Sequence, residues 1–160
     1  MNAPALRALF RTHRKGTTTV EVAFVLPVFF TLVLGLVQVC HAQMVEYVLK
    51  SACRNAARYG SAGAVSTSEA TTRLQEILAC AVNPTKVTIL VKNGDDYEDG
   101  ENLPGNSAEY QALPDIELSS AEPRQLFLIR ATVAYNDVAI LSLPYCSGLT
   151  ISGEALMRHE

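Results

Sequence analysis

From Val22 to Val45 the chain runs through 24 residues without an Asp, Glu, Lys or Arg. Val22 to Cys40 (VAFVLPVFFTLVLGLVQVC), where Val, Leu and Phe dominate, meets the roughly 20 apolar residues that a hydrocarbon layer about 30 Å thick demands of a helix. Beyond it the pattern becomes one-sided. Val45, Leu49, Ala52, Ala56 and Tyr59 recur at helical spacing while Glu46, Lys50, Arg54 and Arg58 run along another face, a solvated one. Gly60 supplies a C-cap. The spacing predicts one helix from Thr17 to Gly60, about 66 Å long at 1.5 Å per residue.

Ser66-Thr67-Ser68-Glu69 reads as a capping box that opens a second helix, with Leu74, Ile77, Leu78 and Ala81 on its apolar stripe and Asn83-Pro84 ending it. The period then changes to two. Val87, Ile89 and Val91 alternate with more polar neighbours, as do Phe127, Ile129, Ala131, Val133 and Tyr135, and then Leu149, Ile151, Gly153 and Ala155. Val138 to Leu143 is apolar but short, a further strand or a core edge. The sum is an α+β fold in which a long first helix and a second one pack on a small antiparallel sheet.

Charge orients the apolar run. Arg7, Arg11, Arg14 and Lys15 precede it with no acid among residues 1–20, and Glu46 follows it. By the positive-inside rule the basic leader stays in the cytoplasm and the rest is exported. A cleaved secretory signal has a shorter apolar stretch, of about 7–15 residues, and a small-residue cut site, for which Cys40-His41-Ala42 is a poor match. A lipoprotein signal would need a small residue where Val39 stands. A buried helix of a soluble domain tolerates the apolarity but gives no reason for the charge asymmetry.

The junction itself is the most distinctive stretch. Arg14-Lys15-Gly16-Thr17-Thr18-Thr19-Val20-Glu21 places a glycine before the apolar run and a carboxylate five residues after that glycine. A basic leader ending in Gly, followed by such a Glu, resembles the type IV prepilin signature. Continued through Val22-Ala23-Phe24-Val25-Leu26-Pro27, it is similar to the TadE-like family of pseudopilins from tight-adherence (Flp-type) pilus systems, in which an arginine-lysine-glycine leader, a Val-Glu pair and a proline six residues after the Glu recur. Ala52 to Gly60 extends the likeness more loosely. Val22 departs from the more usual aromatic residue, and Thr17-Thr18-Thr19 is more polar than the common Ala-rich start.

The resemblance implies a division into a leader, 1–16, removed after Gly16 by a prepilin peptidase; a membrane helix, 17–41; and an extracytoplasmic domain, 42–160. It implies a single-pass protein of the inner (cytoplasmic) membrane with a cytoplasmic N-terminus, whose partners are the prepilin peptidase, other pilins or pseudopilins, pilus assembly components and the lipid bilayer. Thr17 would become the new amino terminus, and its ammonium on a neighbouring subunit would meet Glu21 and set register. Physics alone also asks for a partner, because a charged side chain in a membrane helix is costly and usually marks function. The bland account of Glu21 is a side chain that snorkels to cytoplasmic water. Pro27 frees the carbonyl of Ala23 and predicts a kink.

Residues 93–123 hold nine acids and no Lys or Arg. Asp95-Asp96-Tyr97-Glu98-Asp99-Gly100 invites a calcium loop, but Tyr97 and Asn106 occupy positions the EF-hand pattern reserves for acidic ligands, and a solvated, mobile loop is the simpler expectation. Cys40, Cys53, Cys80 and Cys146 form no C-x-x-C pair, and His13, His41 and His159 fit no zinc spacing, so no metal or cofactor is expected. Cys40 and Cys53 are about 20 Å apart along one helix, beyond bridging distance. In an exported domain Cys80–Cys146 would tie the second helix to the sheet, with Cys53–Cys80 as the lesser option. No nucleophile elbow, phosphate loop or paired His/carboxylate motif points to an enzyme. With a net charge of −3 and basic residues clustered only in the leader, nucleic acid is excluded as a partner. The expected function is that of a minor pseudopilin-like structural component of pilus assembly or a related export machine; the rival is a membrane-tethered exported binding module whose acidic loop takes a ligand or cation.

Overall fold

A computed structural model describes residues 14–97, 107–140 and 148–160. The protein is α+β. Helix α1 runs Arg14–Gly60, α2 Thr67–Leu78 and the short α3 Ser107–Ala112, and strands β1 Val87–Asn93, β2 Leu126–Ala134 and β3 Thr150–Arg158 form one antiparallel sheet in the order β1-β2-β3. Single 3-10 turns stand at Pro84–Lys86, Asp95–Tyr97 and Leu118–Ser120, and one helical turn, α4, at Tyr135–Val138. The chain forms two compact units, residues 1–40 and 41–160.

In the second unit the core lies between the helices and one face of the sheet. Val45, Leu49, Ala52, Cys53, Ala56 and Ala57 of α1 meet Ala70, Leu74 and Leu78 of α2 and Phe127, Ile129, Ala131, Val133 and Ala155 of the strands, all buried. Burying each large apolar side chain contributes about 1.5–3 kcal/mol. The α1 face is built mostly from small residues, so backbones come close. A Cβ on Gly153 would lie 2.4 Å from the Lys50 amide nitrogen and 2.5 Å from the Leu49 carbonyl carbon, so β3 can lie on α1 only without a side chain there. The Cys53 thiol donates to the Gly153 carbonyl oxygen at 3.3 Å across the same contact.

The helix boundary at Gly60 holds for a reason other than the expected cap. Gly60 is not among the residues with positive φ; it is buried, and a Cβ would stand 2.8 Å from the Leu118 side chain. Tyr59, expected on the core face, is exposed, and Cys53 and Ala57 continue that face instead. In α2 the capping box forms as expected: Ser66 Oγ accepts from the Glu69 amide at 3.2 Å, and the Glu69 carboxylate accepts from the Ser66 amide at 2.9 Å. The helix stops at Leu78, before Asn83-Pro84, which starts a 3-10 turn. Ala81 is therefore exposed, and Val82 is the residue that turns inward.

The three strands stand where alternation placed them, with Val87 paired to Val133 and Ile151 to Val133 on the other side. Tyr135 and Leu149 fall just outside the strands and form their own bond, Tyr135 N–H to the Leu149 carbonyl at 2.9 Å. Val138 ends α4 rather than forming a strand; residues 141–143 lie outside the described residues. Alternation did not anticipate that β2 is buried on both faces.

Part of the second face of the sheet is covered by α3; most described residues of the acidic segment are exposed, as expected of a solvated loop, but Tyr110 and Leu118 are buried, and residues 98–106 lie outside the described residues. Tyr110 of α3 is buried, its ring 3.8 Å from the Arg130 guanidinium and its hydroxyl donating to Glu154 at 2.6 Å. Arg130 also pairs with Glu154 at 3.2 Å, and Lys92 with Asp115 at 2.6 Å. On the helix side, Leu118 joins the main core, and Glu117 accepts from the Thr67 amide at 2.9 Å, which adds a second carboxylate to the N-terminus of α2. Asp115 and Glu117 thus meet a cation and an amide that lie tens of residues away in the sequence.

Candidate functional site

Every side chain from Thr18 to Leu32 on α1 is exposed, with Phe24 at 76 %. From Val22 to Phe30 every residue is apolar and exposed, and a helix apolar all round is one built for lipid or for other helices. The helix is long and apolar enough to cross a membrane. The 20 residues from Val22 to His41 alone span about 30 Å.

Within that surface Glu21 is the one carboxylate, and it is exposed. Among the described residues no cation lies against it. Gly16 and Thr17 continue the same helix in backbone conformation, so the Gly16–Thr17 bond and Glu21 belong to one element. Pro27 sits inside α1 without ending it, and Thr31 Oγ1 donates to the Pro27 carbonyl at 2.8 Å, which adds a side-chain bond one turn beyond the proline. Gly35 has nothing within 4 Å of a built Cβ and so marks no close packing within the chain.

The other sequence candidates lie elsewhere. Cys40, Cys53 and Cys80 are free thiols, Cys80 exposed and Cys53 buried; Cys146 lies outside the described residues, so the Cys80–Cys146 pairing remains an expectation. Burial pushes the Cys53 thiol up to about 12. Of the calcium-loop positions, those from Glu98 to Asn106 lie outside the described residues. Asp95 accepts from the Leu126 amide at 3.0 Å and from the Gln125 side chain at 3.2 Å, bonds that hold its carboxyl below the usual range against the opposing, larger effect of burial. Among the described residues no group of three His, Cys, Asp or Glu could hold a metal ion.

Sequence reasoning missed the Tyr110–Arg130–Glu154 cluster, whose members lie on three elements and share no motif. Desolvation, then the bond to Glu154, raises the Tyr110 hydroxyl to about 12. Tyr110 and Arg130 both reach the Glu154 carboxylate, while Arg130 Nε is buried without a partner among the described residues, and the cluster holds α3 on the sheet.

Comparison with known proteins gives one match. Residues 16–58 fit the family described as TadE-like protein, the family that the junction resembles. The matched stretch begins at Gly16, contains Thr17, Glu21 and Pro27, and ends two residues before α1 does. No curated protein and no solved structure matches the chain.

Proposed function

We propose that this protein, which carries a TadE-like segment along α1, is a minor pseudopilin-like structural component of a tight-adherence pilus assembly. The family match points to a component associated with such pili. The observation that supports the finer reading is the placement of Glu21: one carboxylate, with no cation against it among the described residues, at the entry of an exposed apolar run and five residues beyond a glycine that follows a basic leader.

In this reading a prepilin peptidase hydrolyses the Gly16–Thr17 bond and leaves an ammonium group on Thr17. That cation on one subunit pairs with Glu21 on the next, fixing the axial register of helices that otherwise offer only interchangeable apolar surface. Leader and N-terminus stay cytoplasmic, α1 crosses the inner membrane once, and residues 42–160 stand outside it, where the sheet domain meets other assembly components. Partners are thus the peptidase, other pilin-like subunits and lipid.

Intact mass and N-terminal sequencing of the protein from its native membrane, with and without active prepilin peptidase, test the reading. A chain that starts at Thr17 only when the peptidase is active is expected. An uncut chain, or one starting at Gln43, would reduce α1 to a plain anchor or signal. The Glu21→Ala variant should insert and be processed yet lose co-purification of its pilus partners; undiminished co-purification would remove the register role. The rival, a tethered module with a cation-binding loop, gains no support from Asp95, Asp115 and Glu117, whose oxygens already accept bonds from the protein itself.

A further inference from the structure

The end of the sheet that holds the β2–β3 connection carries two large apolar side chains turned to solvent, Ile140 at 60 % exposure and Leu149 at 58 %. Single exposed aliphatic residues are ordinary on any protein surface. These two are set apart by where the chain holds them. His41, the last of the 20 residues that carry α1 through about 30 Å, contacts the Val138 carbonyl through Nε2 at 2.9 Å. A carbonyl only accepts, so the ring nitrogen is the donor. Val138 is therefore held within one side-chain length of the residue at which the helix would leave the hydrocarbon.

Ile140 follows two residues later, at most about 7 Å of extended chain. Leu149 is fixed by the bond from the Tyr135 amide at 2.9 Å, and Tyr135 and Val138 are the two ends of the single turn α4. The sequence agrees: between Asp137 and Glu154 there is no Asp, Glu, Lys or Arg. Tyr47, an exposed aromatic on α1, stands six residues past His41, about 9 Å along the helix, and aromatic residues with a polar tip favour the headgroup level.

We propose that Ile140 and Leu149 form a second membrane contact, a shallow apolar foot of the sheet domain seated in the boundary between headgroups and acyl chains of the bilayer that α1 crosses. The contact rests on the reading of α1 as a membrane span. Amphiphilic surfaces of this kind enter the headgroup region by about 5–10 Å. The foot sets the stance of the domain on the membrane, and it must leave the lipid when the subunit is withdrawn into an assembly.

The absence of tryptophan from the chain permits a direct test on the full-length protein in phosphatidylcholine bilayers containing lipids brominated either high or deep in the acyl chain. Four single variants each carry one tryptophan: Ile140→Trp, Leu149→Trp, Phe30→Trp within the span, and Tyr59→Trp at the far end of α1. The proposal expects blue-shifted emission quenched by shallow bromines for Ile140→Trp and Leu149→Trp, quenching by deep bromines for Phe30→Trp, and none for Tyr59→Trp. Quenching of Phe30→Trp without quenching at positions 140 and 149 overturns the foot and leaves the span intact. Blue-shifted but unquenched emission at 140 and 149 means that protein covers them, and also overturns it. No quenching of Phe30→Trp removes the span, and the foot with it. The two reporters at 140 and 149 are independent, so a folding defect in one leaves the other decisive.

Discussion

At the residue scale the sharpest constraint is Gly153. A methyl group there would overlap the α1 backbone at Leu49 and Lys50, and backbone cannot swing aside as a side-chain tip can. Overpacking of this kind costs about 1–3 kcal/mol or more, so Gly153→Ala should lower the thermal midpoint of the protein by several degrees, whereas Gly35→Ala, in open space, should leave that midpoint unchanged. Cys53 and Tyr110 make a pH prediction. Both are held neutral, with pKa raised from 9.0 and from 10.0 to about 12. A group whose proton is held more tightly in the folded state stabilises fully below the unfolded pKa and loses that contribution as pH rises toward the folded one. Stability should therefore fall progressively between about pH 9 and 12, and Tyr110→Phe should flatten part of that fall in a denaturant titration at each pH. Cys53 should also escape alkylation by iodoacetamide at pH 8 in the folded protein while Cys80 reacts, which peptide mass mapping would show.

At the element scale the sequence was legible at most points where a short-range rule decides, the cap at Gly60 and the stop at Asn83-Pro84 being exceptions. The capping box at Ser66 and Glu69, the two-residue period of the strands and the unbroken apolar run of α1 each depend on neighbours within a few positions, and each stands where the rule puts it. Ser66→Ala should accordingly cost about 1 kcal/mol, read as a lower unfolding midpoint. What stayed hidden depends on long-range pairing. Nothing near Tyr110 announces Arg130 and Glu154, and nothing near Glu117 announces the amide of Thr67, so an acidic stretch with few apolar residues looked unable to bury anything. Its few anchors suffice because each lands on an already formed surface. Tyr110→Ala should cost on the order of 3–5 kcal/mol, the usual range for large aromatic truncations, and open the segment around α3 to limited proteolysis. Gly16, Glu21 and Pro27 could be proposed from sequence because each interrupts or borders an apolar run; the exposed pair Ile140 and Leu149 could not, because only folding holds Val138 against His41.

At the scale of the whole molecule, every buried core residue among the described ones falls between Val45 and Ala155. Residues 41–160 without the first 40 should therefore fold and unfold in one cooperative transition, measurable by circular dichroism; a broad, uncooperative melt would mean that the core needs the preceding helix. The Cys53–Gly153 contact closes a loop of 100 residues, and it also sets a clock. Synthesis proceeds at about 5–20 residues per second, so roughly 5–20 s separate the appearance of Cys53 from that of the strand that will cover it. During that interval the Gly153 carbonyl that will accept from the thiol does not yet exist, and Cys80 emerges before it does. A compartment that forms disulfides quickly could trap the pair Cys53–Cys80, whereas prompt arrival of β3 hides Cys53 for good. The glycine that lets the last strand lie flat on the first helix is therefore also what allows the last-made strand to close over the thiol.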